Sequence, residues 1–488
     1  EPTAQPSSAP EVDAQPAAAE GDIVVTAQRR TQRLQDVPIS AVAASGIQLA
    51  RANLLNLEGV SVRTPAVRIA TAPVSDFITI RGVGSSLNLG FEQSVATFVD
   101  GVYRGRSRST RAALFDIERV EILKGPQTTF FGNNAIAGAF NITTRKPGDK
   151  FEANALASYV PDTQEYVAEA GMSVPVTGNL SVRLAGRLSG MDGWIKNDNL
   201  GTDEPRIRER IGRVSLKWEP SDIIETNARL DLGRARNRGV LSSQLLYCPP
   251  AFGVAAGVCA RYLGASGGSV GDQLDGHSAA NPSYFNYNYL EAAQTTSIQI
   301  GEHSLVLTTG YFDHDYDLLN DVNPVPAGKG GSPLGTTQTI PARFIEDFRQ
   351  FSQEIRIQSP TDQPIEYMVG AYFAHSRLRV DGFQGLYQGR LGLQAPAFYD
   401  ANSRIAFHVS NREIAETKSV FGSATVHLTD AARLNLGLRY SEVTKRAHRY
   451  AERGVAGSIP GFDNFIPGSP AADAALAPVL GVDSGDFD

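Results

Sequence analysis

Apolar and polar residues alternate along most of the chain from about residue 150 onward. In the segment 180–189, leucine, valine and glycine take every second position, and serine, alanine and arginine take the positions between them. Segments 226–233, 354–358 and 434–441 repeat the pattern, with Arg, Glu, Gln or Asn among the polar residues. A period of two residues is that of a β-strand whose two faces meet different surroundings. The pattern therefore predicts a mainly β structure with one apolar face and one charged face.

About eleven such strands are predicted, and the connections between them alternate in length. The predicted strands are 151–160, 164–176, 180–195, 208–219, 223–236, 294–301, 303–319, 348–358, 365–380, 416–428 and 432–448. Connections after even-numbered strands are short, whereas most of the others are long; the short first connection, 161–163, is an exception. A soluble β-sandwich also alternates, but it has no reason to sort its loops in this way. Short turns on one side and long loops on the other are typical of an outer-membrane barrel.

The segment before residue 150 has a different pattern. Residues 22–27 are a short β-prone run, 37–62 are compatible with helix, and 77–80, 95–99 and 120–123 are short strands separated by glycine. This region predicts a compact mixed α/β domain. Residues 1–21 are polar and rich in Ala and Pro, which predicts a disordered extension.

Composition excludes some classes of protein. The formal charge of −7 disfavours a general nucleic-acid binder. No run approaches the roughly 20 apolar residues that a membrane helix needs. The mean hydropathy of −0.19 is compatible with transmembrane strands, because lipid-facing residues alternate with polar ones.

Five short motifs in order along the chain resemble those of a known receptor family. They are 22–27 (DIVVTA), 80–84 (IRGVG), 99–103 (VDGVY), 117–127 (IERVEILKGPQ) and 131–147 (FGNNAIAGAFNITTRKP), and 351–357 (FSQEIRI) adds a strand motif. On these residues the chain resembles the TonB-dependent outer-membrane receptors, in which a plug domain lies inside a β-barrel. Lys124, Thr128 and Ala137 stand where the family usually has Arg, Gly and Gly. Lysine lacks the planar fork of arginine, so a lock at position 124 would be weaker.

The resemblance implies a domain plan and a set of site residues. Residues 1–21 would be a periplasmic extension, 22–27 the TonB box, 28–147 the plug, and 148–488 the first half of the barrel with long extracellular loops. The expected TonB-binding residues are Asp22, Ile23, Val24, Val25, Thr26 and Ala27. The expected plug-motif residues are Arg81, Gly82, Asp100, Gly101, Glu118, Arg119, Glu121, Lys124, Gly125 and Pro126. The expected partners on the inward face of the barrel are Arg183, Arg187, Arg229, Glu354 and Arg356.

The family also implies a function, which is active uptake of a scarce ligand by a protein that is not an enzyme. The expected partners are TonB with its inner-membrane energising complex, outer-membrane lipid and a small-molecule ligand such as a ferric siderophore. Ligand-binding candidates at the plug apex are Phe91, Tyr103, Arg104, Arg106 and Arg108, with Arg111 beside them. The alternative for the arginines is charge pairing with acidic loops or lipid phosphates. Oligosaccharide or cobalamin uptake, a passive porin or adhesin, and a secreted β-rich enzyme or sugar-binding protein are the rival functions.

Three further expectations concern chemistry and completeness. Cys248 and Cys259 form a disulfide-tied loop if the chain is extracytoplasmic; two free thiols are the alternative. The sequence indicates neither a catalytic constellation nor a metal or cofactor site. A barrel that holds a plug needs about 22 strands, so the remaining strands are expected in a longer chain or in a second polypeptide.

Overall fold

The computed structural model describes most of the chain. The described residues are 24–26, 29–30, 32–70, 76–85, 92–111, 114–132, 134–197, 200–239, 276–278, 282–321, 341–361, 363–386, 404–429, 432–456, 465–467 and 485–487. The expected extension 1–21, the ligand candidate Phe91 and the cysteines Cys248 and Cys259 lie outside them. So do Asp22, Ile23 and Ala27 of the expected TonB box.

The N-terminal part forms a small mixed domain of short elements. They are β1 (Val24–Val25), β2 (Gln32–Arg33), β3 (Ser40–Ser45), α1 (Gly46–Arg51), α2 (Leu57–Val62), β4 (Val67–Ala70), β5 (Phe77–Ile80), β6 (Val83–Gly84), β7 (Val95–Val99), β8 (Val102–Arg104), β9 (Ile117–Lys124), α3 (Thr128–Phe131) and β10 (Gly138–Thr144). A five-stranded sheet runs in the order β3-β9-β10-β7-β8, and β7 and β10 are parallel. No described helix is long and apolar enough to cross a membrane.

The core of this domain lies between the sheet and its two larger helices. Ile80, Ile122 and Phe140 are fully or almost fully buried there. Ser45 begins α1 with a capping box, because its side chain accepts from the Gln48 amide while the Gln48 side chain accepts from the Ser45 amide. The helical interpretation of 37–62 is therefore only partly right, since a strand, β3, precedes the two helices. Pairing of β3 with β9 overrides the local pattern there.

The rest of the chain forms one large antiparallel sheet. Its elements and the short strands between them are β11 (Glu152–Val160), β12 (Glu165–Thr177), β13 (Leu180–Met191), β14 (Ile195–Asn197), β15 (Thr202–Glu204), β16 (Arg206–Ser221), β17 (Ile224–Arg238), β18 (His277–Ser278), β19 (Tyr284–Ile300), β20 (His303–Asp321), β21 (Pro341–Gln358), β22 (Ile365–Leu386), β23 (Arg404–Thr429), β24 (Ala432–Ala456), β25 (Phe465–Pro467) and β26 (Gly485–Phe487). Eleven long strands pair in sequence order, with β25 and β26 added to β24. The predicted mainly β fold with eleven barrel strands is confirmed.

Several strands are longer than predicted at the ends that lead into the long connections. β19 begins at Tyr284 rather than 294, and β23 begins at Arg404 rather than 416. In the extension of β19 the period of two continues, but the aromatic residues Phe285 and Tyr287 take the inward face and the outward positions hold Asn286 and Asn288. Cross-strand pairing carries both strands beyond their predicted ends.

The two faces of the large sheet have opposite character. Leu184 and Leu232 keep 48% and 54% of their surface exposed. Their neighbours Arg183 and Asp231 point the other way and are almost fully buried. The N-terminal domain contacts strands from β13, through Arg183, to β24, through Arg433. The sheet must therefore curl around the domain, with its charged face inward and its apolar face outward.

We expect the N-terminal domain to depend on the core around Phe140. Replacing Phe140 with Ala leaves a cavity and should lower the opening free energy of the domain by about 3–5 kcal/mol. Hydrogen–deuterium exchange of β7, β9 and β10 in the full chain measures it. Val62, which is exposed in α2, provides the control, and equal effects of Phe140→Ala and Val62→Ala would contradict the assignment of the core.

Candidate functional site

The last residue of β8 and the turn after it carry three buried arginines that reach the inward face of the large sheet. Arg104 donates to Glu291 on β19, with 3.1 Å from its Nε to Oε2. Arg106 forms a two-pronged pair with Glu346 on β21, at 3.1 Å and 2.9 Å. The Arg108 Nε lies 3.7 Å from the same carboxylate. Two glutamates of the wall thus hold three cations of the N-terminal domain.

The environment of these arginines keeps them charged. Burial by itself would lower the pKa of Arg104, but the Glu291 carboxylate outweighs it, and the pKa is raised. At Arg106, burial likewise lowers the pKa and the Glu346 carboxylate raises it, and the net effect is a raised pKa. Each guanidinium therefore stays ionised at every pH a cell experiences.

Aromatic rings of the wall surround this cluster. The Arg108 guanidinium lies 3.5 Å from the ring centroid of Tyr316, and that of Arg104 lies 5.5 Å from that of Phe312. His314, between these two on β20, has its Nε2 3.0 Å from a Glu346 oxygen. Planar cations stack favourably on such rings, more so where water is excluded. The rings and carboxylates together fix where the segment sits along the sheet.

A second chain of alternating charges links the domain to four neighbouring strands. Asp116, just before β9, receives two hydrogen bonds from Arg183 on β13, at 2.5 Å and 2.9 Å. Arg213 on β16 lies 4.0 Å from Asp116 and donates to Asp231 on β17 at 2.5 Å. Arg229 contacts Asp231 as well.

Arg229 then joins this chain to the apex. Its Nε donates to Asp100 of the N-terminal domain at 2.5 Å, and its Nη2 donates to Glu291 at 3.0 Å. Asp100 also accepts from the Thr144 amide and hydroxyl. Glu291 is the carboxylate that binds Arg104. Four cations (Arg183, Arg213, Arg229 and Arg104) thus alternate with three anions (Asp116, Asp231 and Glu291) along one path, and Asp100 branches from Arg229.

The first described residues of the chain are docked on the edge of the domain. Val24 and Val25 pair with Arg33 and Gln32, and Val25 is fully buried. The Thr26 amide and hydroxyl each donate to Glu121 at 2.9 Å. Glu121 also receives a hydrogen bond of 2.8 Å from Arg119.

Two arginines after this segment reach the wall near its short turns. Arg29 lies 3.6 Å from Glu354 on β21 and covers the rings of Phe98 and Phe131. Arg30 donates to the Tyr367 carbonyl at the start of β22, at 2.6 Å. The N-terminal segment therefore lies at the short-turn end of the sheet, and the arginine apex lies toward the end with the long connections.

The N-terminal domain and the chain as a whole resemble known proteins. Residues 33–139 match the family model for the TonB-dependent receptor plug domain. The pesticin receptor of Yersinia pestis is 30% identical over 210 residues, which is 42% of this chain and 30% of that protein. The iron-regulated outer membrane virulence protein of Vibrio cholerae is 26% identical over 242 residues, 46% of this chain and 36% of that protein. Residues 33–139 are therefore identified as a TonB-dependent receptor plug domain, and the chain resembles the TonB-dependent receptors.

Solved structures agree on the fold. The ferric yersiniabactin uptake receptor FyuA from Yersinia pestis matches with a TM-score of 0.65 at 19% identity, over 86% of this chain and 58% of that one. A receptor in complex with pyocin S2, FpvAI, matches with a TM-score of 0.64 at 14% identity, over 91% and 54%. The chain spans about a third of the curated relatives that it matches. The exposed apolar face of the sheet agrees with the location in the outer membrane that the name of the Vibrio cholerae relative gives.

The structure brings together only some of the expected site residues. Of the expected plug-motif residues, Asp100 reaches the barrel wall, whereas Glu121 and Arg119 hold the N-terminal segment. Lys124 donates to the Pro65 carbonyl at 3.0 Å within the plug. Arg81 and Gly82 make a turn with positive φ, +53° and +79°. The φ values of +82° at Gly101 and +100° at Gly125 also suit glycine.

The wall residues expected to face the plug do so. Arg183, Arg229 and Glu354 form the ion pairs described above, and Arg187 donates to the Leu114 carbonyl at 3.2 Å. Arg356 donates to Glu354 at 2.6 Å. Their role as wall residues followed from their parity in the alternating strands.

The ligand candidates at the apex are committed to the wall in this arrangement. Arg104, Arg106 and Arg108 pair with glutamates. This agrees with the alternative of charge pairing, except that the acids lie on strands and not on loops. The Tyr103 hydroxyl accepts from Asn134 at 2.7 Å, and burial raises its pKa well above the ordinary range. Ligand binding by these residues stays a prediction.

Sequence reasoning missed the acidic half of the network: Asp116, Asp231, Glu291 and Glu346. Glu291 and Glu346 lie in strand extensions outside the predicted ranges, so their facing was not assigned. A signal did exist for Asp231, which occupies an inward position in a strand that was predicted.

We expect Glu346→Gln to loosen the apex. The change leaves Arg106 and Arg108 buried beside a neutral amide, and breaking a buried pair in this way costs about 3–5 kcal/mol. Hydrogen exchange of Val102–Ser109 should accelerate accordingly in the full receptor. Asp313→Asn is the matched control, because Asp313 pairs with Arg349 on the outward face and should cost less than ~1 kcal/mol. Unchanged hydrogen exchange in the Glu346→Gln variant would show that the pairing of Glu346 with Arg106 and Arg108 does not stabilise the apex.

Proposed function

We propose that the receptor takes up a ferric siderophore across the outer membrane, driven by TonB. Support comes from the relatives, one named a pesticin receptor, one iron-regulated, and one structure named a ferric yersiniabactin uptake receptor. A plug enclosed by the sheet and joined to it by ion pairs argues against a passive pore. Oligosaccharide or cobalamin uptake by the same mechanism is the alternative in which only the ligand differs.

The observation that carries the proposal is the docked segment Val24–Thr26. An extended segment can add a strand to a partner sheet through main-chain hydrogen bonds. Here the segment already forms a two-residue ladder with β2, and Thr26 is tied to Glu121. TonB would have to replace these contacts with its own.

A pull on the segment would reach its contacts in a fixed order. The contact of Thr26 with Glu121 of the plug comes first, and that of Arg29 with Glu354 of the wall follows. The apex arginines lie farther along the chain and at the opposite end of the sheet. Charged contacts suit a plug that moves, because water can replace each partner as it separates, whereas a dry apolar interface would have to be broken as a whole.

Ligand binding at the apex would act on the same network from the outside. An anionic ferric siderophore would compete with Glu291 and Glu346 for Arg104, Arg106 and Arg108. Arg229 connects Glu291 to Asp100 and thence to Thr144 at the end of β10. A change at the apex is therefore linked through polar contacts to the sheet that holds the docked segment.

Deleting residues 22–27 tests the mechanism. Uptake of radiolabelled ferric yersiniabactin into cells that make the receptor should fall to background, because TonB loses its strand. Binding of the same ligand to whole cells should stay within about twofold of the parent receptor. Undiminished uptake would refute the mechanism, and loss of binding as well would point to a misfolded receptor. If the parent binds cobalamin or an oligosaccharide instead, the mechanism is tested with that ligand.

A second test concerns the hold on the docked segment. Glu121→Ala removes the acceptor of both Thr26 hydrogen bonds. A hydrogen bond to a charged group contributes about 1.5–3 kcal/mol to stability. Trypsin should then cleave after Arg29 or Arg30 at least about tenfold faster without ligand. Glu118→Ala is the matched control, since Glu118 lies on the same strand, is more exposed and contacts only Arg119 among the described residues. Equal cleavage of the two variants would show that Glu121 does not hold the segment.

A further inference from the structure

Six arginines face outward on two adjacent strands of the barrel, in three directly opposed pairs. The pairs are Arg206 with Arg238, Arg208 with Arg236, and Arg210 with Arg234. Val214 and Leu230 are also partners across β16 and β17, at positions of the same parity, and both are exposed. The arginines therefore share the face of the sheet that contacts lipid. Like charges directly opposite each other destabilise a strand pair, so three such pairs need a counter-charge.

The described chain supplies little counter-charge at this patch. Asp192 contacts Arg206, at 3.0 Å from Nε, and Arg208. Arg210 and Arg234 make no hydrogen bond or ion pair with any residue that the structure describes. On the next strand, the neighbours of the patch are the neutral amides of Asn286 and Asn288. Among the described residues, Asp192 is thus the one carboxylate in direct ion pairs with the six guanidinium groups, while Asp315 and Asp317, one strand beyond the asparagines, act on Arg236 from farther away.

The height of the patch agrees with the headgroup level of the outer leaflet. The patch lies at the ends of β16 and β17 that lead away from the short turn, which is also the end toward which the plug apex lies. Eight residues separate Arg210 from Trp218, an exposed aromatic near the short turn, or about 26 Å along the strand. A strand tilt of about 35–45° reduces this to about 20 Å at Arg210 and gives about 30 Å at Arg206, so the patch straddles the edge of the ~25 Å apolar band of a barrel. Leu188 lies directly opposite Arg210 on β13, and Leu232 lies two residues from Arg234 toward the short turn, each with about half of its surface exposed.

We propose that this patch binds the phosphate groups of an anionic lipid in the outer leaflet. Guanidinium groups bind phosphate through paired N–H donors, and a lipid phosphate would neutralise the opposed arginines from the outward side of the sheet. Acyl chains of the same lipid would lie along Leu188 and Leu232. The shared chemistry is phosphate, but the continuity with the apolar face assigns it to a lipid rather than to a free ion.

The test uses the full receptor in neutral detergent, with diphosphorylated lipid A as the probe. Arg210→Gln with Arg234→Gln removes the two arginines that lack partners in the described chain. Arg349→Gln with Arg379→Gln removes two outward arginines that already pair with Asp313 and Asp381, and it serves as the matched control. Native mass spectrometry measures the affinity for lipid, and the shift in Tm on adding lipid is a second readout.

We expect the first variant to bind diphosphorylated lipid A at least about tenfold more weakly, and the control to stay within about threefold. Arg210→Lys with Arg234→Lys should fall between the two, because charge remains without the planar fork. Equal loss in test and control variants would overturn the proposal, as would equal binding of dephosphorylated lipid A. Displacement of lipid A by millimolar inorganic phosphate would show that the patch takes a free anion and would overturn the lipid assignment.

Discussion

The contact on which this receptor depends is the set of buried ion pairs between plug and barrel wall. Arg104, Arg106 and Arg108 enter the wall from the plug, and Arg183, Arg213 and Arg229 enter the plug from the wall. Each charge loses its water, and only an opposite charge at hydrogen-bond distance offsets that loss. The geometry is therefore strict, and the plug has one seating in the lumen. An apolar interface of the same area would permit sliding, because apolar contact is not directional.

The same contacts explain how a tightly seated plug could move in the transport that we propose. The pairs lie at two ends of the lumen: Arg29 with Glu354 near the short turns, and the apex arginines with Glu291 and Glu346 farther out. A force on the N-terminal segment meets the first end before the second. Each contact costs little once water reaches both partners, so the plug can yield in steps. The buried ion pairs therefore both stabilise the resting plug and allow it to separate from the wall when the N-terminal segment is pulled.

The outward face of the sheet solves a different problem with the same side chain. Inside, arginines are matched by carboxylates from plug and wall. Outside, on β16 and β17, arginines oppose one another at the edge of the apolar band. Burial against protein supplies the partner in the first case, and the membrane surface is the proposed partner in the second. The direction of a side chain, set by a period of two residues, decides which environment it meets.

The sequence by itself determined the eleven-strand organisation, the sidedness of the loops, the plug and the inward position of Arg183, Arg229 and Glu354. These follow from alternation, connection length and motif, all of which are local. Only the tertiary structure decided which charges meet. Asp116 pairs with Arg183 across 67 positions, and Arg106 pairs with Glu346 across 240. It also decided the lengths of β19 and β23, whose outer parts exist because neighbouring strands pair with them. Partner choice in a buried ionic network depends on the distance between two folded units, and local sequence carries no record of that distance.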